Sequence, residues 1–373
     1  MSAKKKILYI ALFVLGFGGF IALDVFAVSA AYANGVPVYA IVLLGIVGLA
    51  LCVYLGIVLH ELGHLVFGLM GGMKFKSINF PLFSIVSVNG RLKASFSLKK
   101  SFLGLCEMFP PRFANVAKSF AFMAAGGPIG SFTMLAVNVL FLVLAPYISG
   151  YLVVLFGLTA PITYSVFLEN AFPMQVNGAR TDGAQLVEIC KNTPSSKVMV
   201  AVLSVQSAYR AGYSPAEIEW IGLYDLPQIP DDDPNYLYLL SSRYLFALDG
   251  GYDDLLKDAD LRLRALYPRL PDFFAEQLLP DLFFNSLYIV PDNTFVNANL
   301  ELVFKLLAKE DNLTACRIRG YYYARVRDYA SAFSEIEKGR GLADVYPLEG
   351  LKKMEIKLLD ELEFLIARES KQL

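Results

Sequence analysis

The chain has 373 residues, 56% of them hydrophobic and only 18% charged, with a mean hydropathy of +0.49, where an ordinary soluble chain carries about 25% charged residues. That excludes a purely soluble protein. Residues 1–191 carry 13 basic and 6 acidic side chains, net +7, and residues 192–373 are net −8, so neither half has the dense basic surface of a nucleic-acid binder, and a membrane half followed by a soluble half of similar length is expected.

Lys and Arg are absent from residues 7–73 and from 119–179, and the membrane spans are placed there. Lys4, Lys5 and Lys6 precede an apolar run from Ile7 to about Ala33 with Asp24 as its only charge. Residues 1–33 are therefore read as an N-terminal transmembrane anchor with the amino terminus inside. The alternative is a cleaved signal peptide, since Ala27-Val28-Ser29-Ala30 and Ala31-Tyr32-Ala33 are small-residue cleavage candidates. A second span runs from Val38 to Met70. Eight basic residues between Lys74 and Lys118 then lie on the inner side by the positive-inside rule. Within that loop, Ser87-Val88-Asn89-Gly90-Arg91-Leu92 predicts a β-hairpin, either resting on the inner membrane face or offering its free edge to an extended segment. Spans at about 119–147 and 151–172 complete four crossings, with both termini cytoplasmic at the cell membrane.

The chain has two histidines, and both fall in His60-Glu61-Leu62-Gly63-His64. On a helix, positions i and i+4 share a face, so both imidazoles can bind one Zn2+ while Glu61 activates a water. The competing reading is a polar helix end at the interface. Against it, ionisable groups set between Val58-Leu59 and Leu65-Val66-Phe67 are expensive in apolar surroundings without partners. A catalytic zinc needs a third protein ligand, and with no third histidine it must be a carboxylate or a cysteine. The carboxylates available in this half are Asp24, Glu107, Glu169, Asp182 and Glu188. Cys52, Cys106, Cys190 and Cys316 form no C-x-x-C pair, so neither a zinc knuckle nor a disulfide framework is indicated.

His60-Glu61-Leu62-Gly63-His64 late in one span, Gly126-Gly127-Pro128 in the next, and Asn170-Ala171-Phe172-Pro173 followed by Thr181-Asp182-Gly183 resemble the site-2 protease family of intramembrane zinc metalloproteases, over about residues 38–190. The resemblance implies that Asp182 is the third zinc ligand and that Asn170 binds a substrate carbonyl or its developing oxyanion. It differs from the usual compact run in that Pro173 lies nine residues before Asp182, with Thr181 where Leu is common, and Ile129 follows the Gly-Pro. Read from the residues alone, Asp182 is also a candidate helix N-cap, and Gly126-Gly127-Pro128 a kink and close-packing point.

From Lys197 on, apolar residues recur at helical spacing between Pro-rich turns. Arg243–Ala247 with Tyr252 and Tyr267-Pro268 matches Tyr321–Ala324 with Tyr329 and Tyr346-Pro347, the two tyrosines Tyr252 and Tyr329 lying 77 positions apart. This weakly resembles a tetratricopeptide-type solenoid, the alternative being an all-helical domain without true repeats. The expected fold is thus mostly α: a polytopic helix bundle of about four spans with a small β-hairpin element, comprising residues 1–33 and a core at 34–192, followed by an all-α domain at 197–373.

The expected function is intramembrane zinc metalloendopeptidase, with Glu61 as the base and His60, His64 and Asp182 as metal ligands. The expected partners are a membrane-anchored protein or peptide substrate, the lipid bilayer, and a protein bound through residues 197–373. The alternatives are a catalytically inactive membrane scaffold that recruits partners through the helical domain, and a zinc transporter or sensor, for which more histidines and carboxylates along the spans would be expected.

Overall fold

The structure, a computed structural model, describes residues 3–88, 91–96, 104–110, 115–176, 179–309 and 311–370. The chain divides into two compact units, residues 1–196 and 197–373.

The first unit opens with α1 (Ala3–Ala33) and α2 (Val38–Met70), continues through strands β1 (Lys74–Asn79), β2 (Phe83–Val88), β3 (Arg91–Phe96) and β4 (Leu105–Phe109), and returns to helix in α3 (Val116–Val143). Helices α4 (Gly150–Phe156) and α5 (Ala160–Ala171), the short strands β5 (Gln175–Val176) and β6 (Ala179–Arg180), and α6 (Asp182–Lys191) complete it. Four helical segments, α1, α2, α3 and Gly150–Ala171, are long and apolar enough to cross a membrane.

The last of these segments is broken, where the sequence predicts one continuous span. Helix α4 ends at Gly157, and α5 starts afresh with Pro161 in its first turn, where a missing N–H is harmless. A break inside apolar surroundings leaves backbone groups without partners. Here the fully buried Asn138 of α3 donates to the Phe156 carbonyl and, at 3.0 Å, to Thr159 Oγ1, while Thr163 Oγ1 donates to Asn138 Oδ1 at 2.7 Å.

The hairpin foreseen around Asn89-Gly90 is part of something larger, an antiparallel sheet of order β3-β2-β1-β4. Strands β2 and β3 pair with Val88 opposite Arg91; Asn89 and Gly90 themselves lie outside the described residues. Strands β1 and β4 escape a search for alternating polarity because charges interrupt both, and those charges answer one another across the pair: Glu107 accepts from Lys76 Nζ at 2.8 Å and from Ser77 Oγ at 2.6 Å. The buried face of this pair, Ile78, Cys106 and Met108 with Met73 and Phe80, packs against Val58 and Leu65 of α2 and Phe120 and Met123 of α3. Burial of that apolar face fixes the sheet over the turn of α2 that carries both histidines.

The second unit continues from α7 (Pro194–Arg210) through a 3₁₀ turn (Pro215–Ile221) to α8 (Pro234–Gly250), α9 (Asp253–Leu266), α10 (Asp272–Tyr288), α11 (Asn293–Lys309), α12 (Leu313–Arg325), α13 (Tyr329–Leu342) and α14 (Glu349–Glu369). Helix α8 packs on α9, α10 on α11 and α12 on α13. Tyr252 and Tyr329 stand at the start of the second helix in the first and third of these pairs, so their spacing spans two helix pairs. One continuous apolar core, including Leu240, Leu263, Leu282, Phe283, Ile318 and Leu359, runs through the pairs.

Candidate metal centre

Helix α2 places His60 and His64 one turn apart on the face it turns to α3, and the small residues of α3 bring the two backbones together. A Cβ on Gly126 would strike the backbone of Gly63, one on Gly130 that of Leu59, and one on Gly127 both imidazoles. Only glycine permits this approach. The Gly126-Gly127-Pro128 stretch is thus the floor of the site, and Pro128 lies within an unbroken α3.

The third member arrives on α6. Thr181, not Asp182, is the N-cap of that helix: its Oγ1 accepts from Ala184 N at 3.3 Å and donates to the Phe172 carbonyl at 2.8 Å. The hydroxyl satisfies a first-turn donor while tying the cap back to the end of α5, so Asp182 at the first helical position is released from capping. The β5–β6 pair occupies the nine-residue separation between Pro173 and Asp182. Gly183, where a Cβ would meet the Ala171 backbone, lets α6 seat against α5.

These elements bring His60 Nε2, His64 Nε2 and Asp182 Oδ2 together: 3.1 Å between the two nitrogens, 3.3 Å from His60 to Asp182 and 3.4 Å from His64 to Asp182. Ligand atoms about 2.0–2.1 Å from a tetrahedral metal stand roughly 3.3–3.4 Å apart, so the three could hold such an ion without rearrangement. Their protonation points the same way. His64 Nδ1 lies 2.8 Å from the Met123 carbonyl, which can only accept, so that nitrogen donates and the neutral ring presents a lone pair at Nε2. His60 Nδ1 is held 2.9 Å from Ser131 Oγ. Around a cation, His60 Nε2, His64 Nε2 and Asp182 Oδ2 can all serve as acceptors, and hydrogen bonds to the remote ring nitrogens are the usual means of orienting metal-ligating histidines.

Glu61 is buried beside this cluster and does not join it. Its carboxylate reaches β4, accepting from the Cys106 backbone N–H and lying against Gly104, where a Cβ would stand 2.5 Å from Oε1. A cavity of about 270 Å³ opens between them, lined by Glu61, His64, Asp182, Leu105, Phe120 and Gln185 among others. Burial pushes the Cys106 thiol up to about 12, and its sulfur lies outside the three-residue group.

The other carboxylates considered as ligands are engaged elsewhere or outside the cluster. Glu188 pairs with Arg180 at 2.9 Å, Glu107 with Lys76 across β1–β4, and Asp24 and Glu169 lie outside the three-residue group. Asn170 is not drawn in: its amide donates to the Val166 carbonyl one turn back on α5. Sequence reasoning missed Ser131, the Met123 carbonyl and Gln185. Ser131 lies four positions after Gly127 and Gln185 three after Asp182, so helical spacing from residues already singled out would have found both.

No protein-family model, curated protein or solved structure matches the chain.

Proposed function

We propose that the chain is an intramembrane zinc metalloendopeptidase of the site-2 protease type, embedded in the cell membrane by four spans with both termini cytoplasmic. Its substrates are membrane-anchored proteins or peptides cut in or near their transmembrane segments. One observation carries the reading: three potential ligand atoms lie 3.1–3.4 Å apart, and two of their residues, His64 and Asp182, line a cavity with Glu61, a carboxylate outside the cluster. That is the division between ligands and general base that metal-assisted hydrolysis needs.

Zinc held by His60, His64 and Asp182 would supply Lewis-acid polarisation to a carbonyl and to water. Glu61 takes the proton from the attacking water as its oxygen adds to the carbonyl carbon, and returns it to the amine nitrogen as the C–N bond breaks. The Cys106 N–H fixes the carboxylate for both transfers. Of the two sheet edges, β3 and β4, it is β4 whose residues line the cavity, so an extended substrate segment is best received along β4, by strand addition. A helical substrate must unwind to present a backbone carbonyl there, and Leu105, Phe120, Met123 and Ala124 favour an apolar side chain beside the cut.

The test is zinc content of detergent-purified protein by mass spectrometry. About one zinc per chain is expected in the wild type and in Glu61→Gln, and a large loss in His64→Ala and Asp182→Ala. Zinc retained in Asp182→Ala would remove Asp182 from the ligand set. A wild type that takes up no zinc on reconstitution would favour the scaffold.

A further inference from the structure

In the second unit a cavity of about 510 Å³ opens where α10 and α12 end, α13 begins and the last turns of α14 pass. Its polar wall is Tyr288, Arg325, Arg327, Tyr329 and Glu369. Glu369 accepts from Tyr329 Oη at 3.2 Å. Among the described residues, neither the Arg325 nor the Arg327 side chain has an ion pair or a hydrogen bond. Two unpaired guanidiniums against one carboxylate make the cavity cationic, in a unit whose net charge is −8.

A helix C-terminus favours a basic residue, which accounts for Arg325 in the last turn of α12. Arg327 is the left-handed residue, φ 62°, that closes the end of α12, its N–H on the Ala324 carbonyl at 3.0 Å and the Asp328 N–H on the Tyr323 carbonyl at 2.9 Å. That conformation costs a non-glycine residue of the order of 1 kcal/mol, and the chain places a charged side chain, not glycine, at that position on the cavity wall. Burial pushes the Tyr288 hydroxyl up to about 12, so it remains a donor beside the two arginines. The remaining wall includes Leu287, Pro291 and Leu365, apolar surface that a bare oxyanion would leave unused.

We propose that this cavity binds an acidic, partly apolar peptide segment of a protein partner. Its carboxylates pair with Arg325 and Arg327, and its apolar side chains lie on Pro291 and Leu365. The inference is independent of the chemistry assigned to the metal centre.

The test uses the full chain in non-ionic detergent and fluorescence anisotropy of a labelled peptide of alternating leucine and glutamate, beside its leucine and glutamine counterpart. The acidic peptide is expected to bind, more weakly as salt is raised, and the glutamine peptide to bind at least tenfold more weakly. Arg325→Gln with Arg327→Gln should weaken binding at least tenfold. Arg327→Gly separates side chain from fold: glycine adopts the left-handed conformation freely, so its melting temperature should be equal or higher while binding falls. Equal binding of the two peptides, no binding of the acidic one, or unchanged binding in the arginine variants would overturn the proposal. So would full displacement by millimolar inorganic phosphate, which would make this a simple oxyanion site, or tighter binding to anionic phosphatidylglycerol vesicles.

Discussion

In the first unit, His60, His64 and Asp182 gather three potential ligand atoms within 3.4 Å of one another, while in the second the buried polar atoms pair donor with acceptor. There Tyr244 donates to Asn285, Asn285 to Asp260 and Arg264 to Asp260, at 2.7–2.8 Å; Arg317 and Thr314 donate to Glu355. Arg317 lies over the Phe284 ring at 4.3 Å, and its Nη1 alone among these atoms lacks a partner. A satisfied network specifies a core and asks for nothing more. Ligand-type atoms gathered at one point could hold a cation, and that difference, more than burial or charge count, marks the first unit's cluster as the candidate site.

The comparison is broken most directly by changing one atom at each place. Glu61→Gln keeps the size and burial of the side chain and removes only its ability to take a proton. Cleavage of a co-expressed membrane-anchored reporter should fall by about 10²–10⁴-fold, with metal content unchanged. Undiminished cleavage would remove Glu61 from the chemistry. In the second unit the same order of free energy should appear as stability instead. Arg317→Met leaves Glu355 buried without its cation and should cost about 3–5 kcal/mol, read as a lower unfolding midpoint with metal content unaffected. Arg317→Met with Glu355→Leu should recover most of it, because the replacement pair strands no charge. A double variant as unstable as the single one would show that the network contributes more than charge balance.

A smaller change sharpens the distinction within the first unit. Ser131→Ala leaves all three metal-facing atoms in place and removes the 2.9 Å partner of His60 Nδ1. Metal affinity, measured by competition with a chelator, should weaken about 10–100-fold at nearly unchanged thermal stability. A loss of stability without a loss of affinity would make Ser131 a packing residue.

Much of this site was legible in the order of residues. The two histidines and Glu61 could be read because helical spacing turns sequence distance directly into a shared face. Asp182 could be reached only through resemblance, since nothing local distinguishes it from Glu188 or Glu169; what selects it is Thr181 taking over the cap and Gly183 admitting α6 to α5. The break between α4 and α5 was hidden because the buried Asn138 that satisfies it comes from a different helix. Strands β1 and β4 were hidden because Glu107 finds Lys76 and Ser77 only after the chain has folded back. Asn170 was a candidate by motif, and its amide donates to the Val166 carbonyl of its own helix.

The smallest expected effect concerns an acid set beside the second unit's network. Asp281 on α10 faces the Arg317 guanidinium, the Glu355 carboxylate and the Tyr244 hydroxyl, and burial pushes its carboxyl up to about 6 against the pull of Arg317. Arg317 is already engaged by Glu355, so its attraction does not offset the loss of water. In the unfolded chain the same carboxyl titrates near the ordinary aspartate value of about 3.9. Between about pH 4 and pH 6 the folded form therefore holds the proton that the unfolded form has released. Stability should fall as pH rises through that window and level off above it. Asp281→Asn removes the titration: the slope between pH 4 and 6 should flatten, and the unfolding free energy at pH 7 should rise by about 1–2 kcal/mol, measured by denaturant titration at both ends of the range. A slope that survives in Asp281→Asn would move the acid-sensitive group elsewhere and leave Asp281 as one more satisfied member of the network.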